Sequence, residues 1–228
     1  MKRGETRIFI ADVLSLAEPS QIEIYLNEVS KERREKIKKL KTLTAKALSL
    51  GAELVLQKAV RQVYGIEPPL KIRILAEGKP LLHNYPKIHF NLSHSGNYVV
   101  CGIGARPLGV DIQKMAEPNL NLAKRFFSET EVTWLFALPP EKQVQGFYDL
   151  WAIKEAYMKY TGKGFRLPMN AFTVKSNEQI LTENGISIFE AEKKVPVLVK
   201  THRLLEDYVL WGITDSVNFQ KTIEWIRL

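Results

Sequence analysis

The chain of 228 residues has little that would place it in a membrane or outside the cell. It contains one cysteine, Cys101, so no disulfide can form within it, and a lone thiol in an apolar run favours a buried side chain in a reducing compartment. No apolar run approaches the roughly 20 residues that span a bilayer. Residues 1–5 also lack the layout of a secretory signal. We therefore expect a cytoplasmic protein that does not contact membranes.

Acidic side chains are outnumbered, 25 to 33, which gives a net charge of +8. Much of the excess lies between Lys31 and Lys46, where eight side chains are basic and two are acidic. Such a segment attracts polyanions, acidic proteins or phosphorylated ligands through a field that salt screens. A solvated helical face would have the same composition, so both interpretations remain open.

The chain also lacks a Gly/Ser-rich or Pro-rich linker, so any two halves are expected to pack together. One strand-like segment is repeated, as YVVCGI at Tyr98–Ile103 and as YVLWGI at Tyr208–Ile213. Six-residue similarities arise by chance, but the strands and helices of the two halves come in the same rough order. This order favours two related halves.

Hydrophobic periodicity and turn residues predict the elements of both halves. In the first half they predict strands at Thr6–Val13, Leu70–Leu75, Ile88–Leu92 and Tyr98–Gly104, and helices at Ser20–Val29, from Ser30, and at Leu43–Tyr64. In the second half they predict helices at Leu120–Phe127, Glu129–Ala137 and Phe147–Tyr160, and strands of a second sheet at Phe172–Lys175, Ile186–Glu190, Val195–Thr201 and Asp207–Thr214.

Two short stretches carry polar side chains where packing alone would favour apolar ones. On a strand, Asp111 and Gln113 point to the same face. On a helix, Trp151, Glu155 and Lys159 form one stripe. A strand carboxylate facing a helix carboxylate, with a lysine one turn further, could hold a hydrated divalent cation that carries phosphate oxygens. Alternatively, Asp111 is an ordinary turn or edge-strand residue, and Glu155 only pairs with Lys159.

Four blocks in this chain resemble, in order and spacing, the signature blocks of 4′-phosphopantetheinyl transferases of the Sfp type. The resemblance runs from about Ser30 to Val174. It implies a pseudo-twofold α+β protein whose similar subdomains, residues 1–105 and 106–228, hold the ligand between them. The blocks are Asn91–Ser95, Gly109–Ile112, Phe126-Phe127 with Glu131, and the pattern WxxKEAxxKxxGxG from Trp151 to Gly164.

The resemblance further implies an enzyme that moves the 4′-phosphopantetheine arm of coenzyme A onto a serine of an apo carrier protein. Mg²⁺ would be required, and adenosine 3′,5′-bisphosphate would be released. A hydroxyl that attacks a pyrophosphate needs the phosphate charge neutralised, which a bound cation provides. The partners would be coenzyme A and an acidic acyl or peptidyl carrier protein, with no nucleic acid, and the protein would be a monomer serving peptide or polyketide synthesis.

By resemblance, Asp111, Gln113 and Glu155 form the metal site, and Asp111, Glu155 and Lys159 carry the catalysis. Glu155 would take the serine proton directly or through water, while Lys159 would hold charge on the leaving phosphate. Gln113 departs from the family, whose commonest pattern has an acidic residue there. Because an amide offers only one carbonyl oxygen, we predict two carboxylate ligands, more water and weaker cation affinity.

Coenzyme A itself would contact both halves. Ser93 and His94 are expected to follow a strand and open a turn beside the nucleotide phosphates, with Lys79 against the nucleotide. Arg33 and Lys36 align with positions that bind the 3′-phosphate. The full set of coenzyme A contacts implied by the resemblance is Arg33, Lys36, Ser49, Lys79, Ser93, His94, Lys154 and Lys159.

Two other functions compete with this interpretation. A metal-dependent enzyme acting on nucleic acid could also combine a basic surface with Asp111 and Glu155, but no Glu-x-Lys follows the aspartate at short spacing and no nucleic-acid module is recognisable. A non-catalytic binding module with a basic helix is the second alternative.

Trp151 is predicted to pack beneath the helix that carries Glu155, and the region of Phe126, Phe127 and Glu131 is predicted to lie near the carrier protein.

Overall fold

A computed structural model describes residues 5–76, 78–176, 178, 181–202 and 206–228. The signal-sequence prediction rests largely on residues 1–4, which lie outside this range. Across the described residues, no helix is both long and apolar enough to cross a bilayer. The helices are α1 (Pro19–Tyr25), α2 (Lys31–Lys38), α3 (Leu43–Tyr64), α4 (Asn121–Phe126), α5 (Glu129–Ala137) and α6 (Pro140–Thr161). The strands are β1 (Thr6–Asp12), β2 (Ile72–Ile74), β3 (Pro80–Leu82), β4 (His89–Ser95), β5 (Tyr98–Gly104), β6 (Leu108–Lys114), β7 (Phe172–Ser176), β8 (Ile186–Glu190), β9 (Lys193–Lys194), β10 (Leu198–Thr201), β11 (Tyr208–Thr214) and β12 (Phe219–Trp225).

The described strands form four sheets, which confirms the mixed α and β composition. The largest has the order β12-β1-β5-β4, and a second has the order β10-β11-β6. β7, β8 and β9 form a third sheet, and β2 pairs with β3. The β1–β12 pair is parallel, while β1–β5, β4–β5 and β6–β11 are antiparallel.

The long helix of the first half, α3, has the bounds that the sequence predicts. Thr42 caps its first turn, because the Thr42 hydroxyl accepts a hydrogen bond from the Ala45 N–H at 3.1 Å. Gly65 ends it in the left-handed region at φ 66°. Its apolar face packs on β5, and the core there includes Leu50, which is fully buried. Burial of one such side chain stabilises the fold by about 1.5–3 kcal/mol.

Several predicted boundaries are corrected by the structure. α6 begins at Pro140 rather than at Phe147, because proline fits the first turn of a helix. β4 continues to Ser95, so Ser93 and His94 lie within a strand and do not open a turn. The chain turns after them, at Gly96, where φ is 55°. In the first half, α1 ends at Tyr25 and a short 3₁₀ turn follows it.

The second half does not form the single further sheet that the sequence predicts. β11 pairs with all seven residues of β6, and β10 pairs with β11, whereas β7 and β8 belong to a different sheet. Residues 219–225, for which no strand was predicted, form β12 beside β1. Ile226 then packs in the core of the first half. The C-terminal segment therefore crosses the expected boundary between residues 105 and 106.

β4 and β6 lie side by side and are joined through side chains of β4. Alternate residues of β4 place an oxygen against the free N–H groups of β6, which satisfies donors that would otherwise lack partners. This seam explains the alternating polar pattern of the first block. The bonds join Asn91 Oδ1 to the Val110 N–H (3.0 Å), Ser93 Oγ to the Ile112 N–H (3.4 Å) and Ser95 Oγ to the Lys114 N–H (2.9 Å).

Candidate active site

The site depends on a direct contact between the backbones of β6 and α6. A Cβ atom placed on Gly109 would lie 2.0 Å from the Ala156 carbonyl oxygen and 2.5 Å from the Tyr160 nitrogen. Only glycine allows this approach. The contact explains why a glycine precedes Asp111 by two residues, since it brings β6 close enough for α6 side chains to reach that carboxylate.

Asp111 is the centre of a buried polar network. Its side chain is 2% exposed. Oδ1 accepts hydrogen bonds from Lys159 Nζ at 2.5 Å and from Ser93 Oγ at 2.7 Å, and Oδ2 accepts one from Gln113 Nε2 at 2.8 Å. The structure thus brings Asp111 and Gln113 to one face, as the strand period predicts. Of the alternatives for Asp111, the turn is wrong and the edge strand is right in position, since Asp111 lies within β6 at the edge of the β10-β11-β6 sheet.

Lys159 holds the network together from α6. Its ammonium also donates to Ser93 Oγ at 3.1 Å and to the Val110 carbonyl at 3.2 Å. Among the described residues, the ion pair of Lys159 is with Asp111 and not with Glu155. This pairing links three of the four sequence blocks: the Ser93 block, the Asp111 block and the helix block.

Glu155 lies one turn before Lys159 on α6 and is half-buried. Burial raises the pKa of its carboxyl group, the negative charge of Asp111 raises it further, and the positive charge of Lys159 opposes both. Asp111 and Glu155 are therefore close enough to repel each other. A carboxyl group with a raised pKa is suited to accept a proton near neutral pH.

These side chains fit a magnesium site in which the protein supplies only a few of the metal ligands. No group of three or more His, Cys, Asp or Glu side chains suited to a metal occurs among the described residues. Two mutually repelling carboxylates and one amide oxygen match the way Mg²⁺ binds, with one or two carboxylates and the rest from water and phosphates. A cation between Asp111 and Glu155 would relieve the repulsion that raises the Glu155 pKa.

A positive cluster adjoins this site on the side of α2. The pKa of His94 is lowered by burial first, then by the positive charges of Lys159 and Lys36. Ser93 and His94 are neighbours on β4 and point to opposite faces, so Ser93 faces Asp111 while His94 faces away from it. Three expected coenzyme A contacts, Lys36, His94 and Lys159, thus lie close enough for the two lysines to lower the pKa of His94.

Arg33 and Ser49 are also brought together, by a residue that the sequence analysis missed. Glu53 is 1% exposed, and its Oε2 accepts a hydrogen bond from Arg33 Nε at 3.1 Å. Arg33 Nη1 in turn donates to Ser49 Oγ at 3.4 Å. Glu53 Oε1 accepts from the Ser30 N–H at 2.6 Å, which fixes the start of α2. The signal available in the sequence was the Glu53 carboxylate itself, which lies four residues after Ser49 within the apolar stretch of α3.

Lys154 does not face the site, which is a correction to its expected role. The side chain is fully buried, and Nζ contacts Glu131 Oε1 at 2.8 Å and the carbonyls of Met169 at 2.7 Å and Phe172 at 2.9 Å. All three ammonium protons are therefore used within the protein. Adjacent helical residues point about 100° apart, so Lys154 is directed into the core while Glu155 faces the site.

Lys79 is also placed differently from the expectation. Its Nζ donates to the carbonyls of Lys159 at 2.8 Å and Tyr160 at 3.0 Å, at the end of α6, and lies 3.5 Å from the Leu108 carbonyl. Burial lowers the pKa of Lys79 to about 8. Its ammonium is thus bound to backbone, so the structure does not support a direct contact with the nucleotide through this side chain.

A cavity of about 340 Å³ opens beside Glu155. One wall is Trp151, which is half-buried and lies edge-on to Phe126 with ring centroids 5.7 Å apart. Of the residues expected near the carrier protein, Phe126 lines this cavity, whereas Phe127 and Glu131 are buried and are not part of its lining. Its lining is mostly apolar and comprises Arg125, Phe126, Trp151, Glu155, Met158, Leu167, Pro168, Met169 and Asn170.

Comparisons with known proteins identify the family of the chain. The family model of the 4′-phosphopantetheinyl transferase superfamily matches residues 107–210, and that of the 4′-phosphopantetheinyl transferase N-terminal region matches residues 17–105. A 4′-phosphopantetheinyl transferase of Bacillus subtilis is 34% identical over 197 residues, 86% of each chain. The transferase Sfp of Bacillus subtilis strain 168 is 31% identical over 205 residues, 90% of each chain, and the transferase gsp of Aneurinibacillus migulanus is 33% identical over 203 residues, 86% of this chain and 83% of its own.

The chain is therefore a transferase enzyme. It belongs to the 4′-phosphopantetheinyl transferase superfamily, which confirms the resemblance seen in the sequence.

Proposed function

We propose that the protein transfers the 4′-phosphopantetheine arm of coenzyme A to a serine of an apo carrier protein, with Mg²⁺. The observation that carries the proposal is the convergence of Asp111, Glu155 and Lys159 beside the cluster of Lys36 and His94. Two carboxylates suit a cation, and the neighbouring positive charges suit phosphates. Transfer to a hydroxyl needs both kinds of group in one place.

The reaction forms a bond between the serine oxygen and the phosphorus that carries the pantetheine arm. The bond from that phosphorus to the bridging pyrophosphate oxygen breaks, and adenosine 3′,5′-bisphosphate leaves. Glu155 accepts the serine proton, directly or through water, as its raised pKa favours. Lys159 stabilises the negative charge of the leaving phosphate. Asp111 and Glu155 would hold Mg²⁺, which when bound would neutralise phosphate charge, and Gln113 orients Asp111 through its amide.

The phosphates of coenzyme A bind to side chains of β4 and α2. Ser93 and His94 contact the nucleotide phosphates, and Lys36 with Arg33 receives the 3′-phosphate. Support comes from the positive charges that already act on His94. Ser49 contributes through its hydrogen bond with Arg33. Lys154 is left out of the ligand contacts because its side chain is fully buried, and Lys79 because its ammonium is bound to backbone carbonyls at the end of α6. Lys159 and Arg33 also have partners within the protein, but their side chains remain 25% and 17% exposed.

We further propose that residues 1–105 and 106–228 are similar subdomains related by a pseudo-twofold axis, with coenzyme A between them. α3 and α6 have 22 residues each and end at glycines in the left-handed region, Gly65 and Gly162. The repeated sequence segments form the seven-residue strands β5 and β11. The two family models meet between residues 105 and 107. These correspondences support the proposal, while β12 links the two halves.

The carrier protein that fits this surface is acidic. α2 presents exposed lysines on a chain of net charge +8, and such a surface speeds encounters with an acidic partner through long-range attraction. We propose an acyl or peptidyl carrier protein in the cytoplasm as the partner and a monomeric enzyme, without nucleic acid or membrane contacts. The alternatives, a nucleic-acid enzyme and a basic binding module, are outcomes of the test below.

Ligand-dependent unfolding distinguishes these functions. A ligand at 100 times its Kd raises the free energy of unfolding by about 2.7 kcal/mol, so coenzyme A with Mg²⁺ should raise the melting temperature more than either alone. Asp111→Asn should remove the gain that depends on Mg²⁺, whereas Lys87→Met, at an exposed position, should retain it. A response to oligonucleotides that falls steeply with salt, with none to coenzyme A, would overturn the proposal.

A further inference from the structure

Lys79 reaches from the first half of the chain to the end of α6. It follows Gly78, whose φ is 90°, in the turn between β2 and β3. Its ammonium donates to the carbonyls of Lys159 and Tyr160 at 2.8 and 3.0 Å. The last four carbonyls of a helix lack partners within the helix and lie at its negative end. The Gly162 N–H also donates to the Lys159 carbonyl, at 3.3 Å, so a cation from another part of the chain supplements the cap of α6.

The turn that Lys79 holds is the turn that carries Lys159. The backbone carbonyl of Lys159 accepts from Lys79, and its side-chain ammonium pairs with Asp111 at 2.5 Å and contacts Ser93. Lys159 is thus held at two points: Lys79 binds its backbone carbonyl, and Asp111 binds its side-chain ammonium. Any movement of this turn moves the Lys159 ammonium relative to Asp111.

The absence of a side chain at Gly162 leaves space for the Lys79 side chain. A Cβ atom on Gly162 would lie 3.2 Å from Lys79 Cδ, so the aliphatic part of Lys79 packs closely over this glycine. The Lys79 ammonium also lies 3.5 Å from the Leu108 carbonyl at the start of β6. Lys79 therefore bridges β6 and the end of α6, the two elements that carry Asp111 and Lys159.

We propose that Lys79 is a positioning residue that fixes the last turn of α6, and thereby the Lys159 ammonium, without contacting the nucleotide through its side chain. The inference rests on the proposed function for its catalytic consequence. Its structural consequence, the fixed last turn of α6, does not depend on that function, because it exists without substrate. Lys79→Met removes the ammonium, and Lys79→Gln keeps a donor of similar length but removes the charge.

Hydrogen exchange of the ligand-free protein tests the structural half. Lys79→Met should speed amide exchange in residues 159–162 by about tenfold, the factor for loss of about 1.4 kcal/mol of local protection. Exchange at the end of α3, before Gly65, should not change. The exposed Lys87→Met should leave both regions as in the wild type. Unchanged exchange at the end of α6 in both Lys79 variants would overturn the inference.

Coenzyme A binding by calorimetry tests the functional half through a double-mutant cycle. Lys79→Met and Lys159→Met should each weaken binding, and the first by about tenfold. If Lys79 acts through Lys159, adding Lys79→Met to the Lys159→Met protein should change the Kd little. Losses that multiply would mean that Lys79 contacts the ligand independently and would contradict the inference. Absence of any coenzyme A binding by the wild type would instead contradict the proposed function and leave the exchange result standing. Melting temperatures confirm that each variant is folded.

Discussion

Gly109 lies against the carbonyl of Ala156, where a Cβ atom would come within 2.0 Å of the oxygen. The strand and the helix of the site therefore touch backbone to backbone. Asp111 follows Gly109 by two residues, and Lys159 follows Ala156 by three. The short ion pair between them depends on this contact, because a wider spacing would withdraw the Lys159 ammonium from the carboxylate.

Gly109→Ala should accordingly separate β6 from α6. We expect the free energy of unfolding to fall by about 1–3 kcal/mol, the usual cost of overpacking, and the transfer rate to fall more than stability alone explains. Urea unfolding and initial rates measured on the folded protein check this. Gly185→Ala is the control, since the three atoms nearest to its Cβ would belong to the exposed side chain of Glu178. Equal effects of the two substitutions would contradict the role of the contact.

The sequence predicted the central part of this site because its signals are local. The period of β6 places Asp111 with Gln113, and the period of α6 places Glu155 with Lys159. The bounds of α3 were also predicted, since Gly65 is a natural C-cap residue.

Features that depend on distant parts of the chain were not predicted. The direction of Lys154 depends on Glu131, which lies on a different helix, and Lys79 binds carbonyls about 80 residues away. β12 was missed because its pairing with β1 joins the two ends of the chain. Ser93 was predicted to lie in a turn because its side chain is polar. In the structure its Oγ faces the N–H groups of β6, a distant contact that accounts for a polar residue within a strand.

Lys154 and Glu131 form a buried ion pair whose disruption should cost stability. Lys154→Met leaves the Glu131 carboxylate buried without its cation, and we expect the free energy of unfolding to fall by about 3–5 kcal/mol. The double substitution Glu131→Gln with Lys154→Met should recover part of this loss. Urea unfolding of the three proteins measures it. Weaker coenzyme A binding with unchanged stability in Lys154→Met would restore the expected ligand contact instead.

Gln113→Glu should strengthen cation binding. The amide now donates to Asp111 Oδ2, and a carboxylate there would add negative charge beside the two acidic side chains. We expect the Mg²⁺ concentration for half-maximal activity to fall about tenfold, which corresponds to about 1.4 kcal/mol. Rates across a Mg²⁺ titration at fixed coenzyme A check this. An unchanged requirement would mean that the side chain at position 113 does not face the cation.

His202 should make the fold sensitive to acid. The residue is 8% exposed, and burial, with a smaller effect of Lys200, lowers its pKa to about 4. The unfolded chain, with a pKa near 6.5, binds the proton first as pH falls. The free energy of unfolding should therefore decrease between about pH 6.5 and pH 4, by up to about 3 kcal/mol, and not above that range. Urea unfolding across this range should show a smaller slope for His202→Leu than for the exposed-site control His83→Leu. Equal slopes would contradict this assignment.

Intact-mass spectrometry of an apo carrier protein tests the central claim most directly. Incubated with this protein, coenzyme A and Mg²⁺, the carrier should gain the mass of one phosphopantetheine arm, and Asp111→Ala or Glu155→Ala should abolish the gain while Lys87→Met retains it. A panel of acidic acyl and peptidyl carrier proteins that all keep their apo mass with the folded wild-type protein would contradict the account.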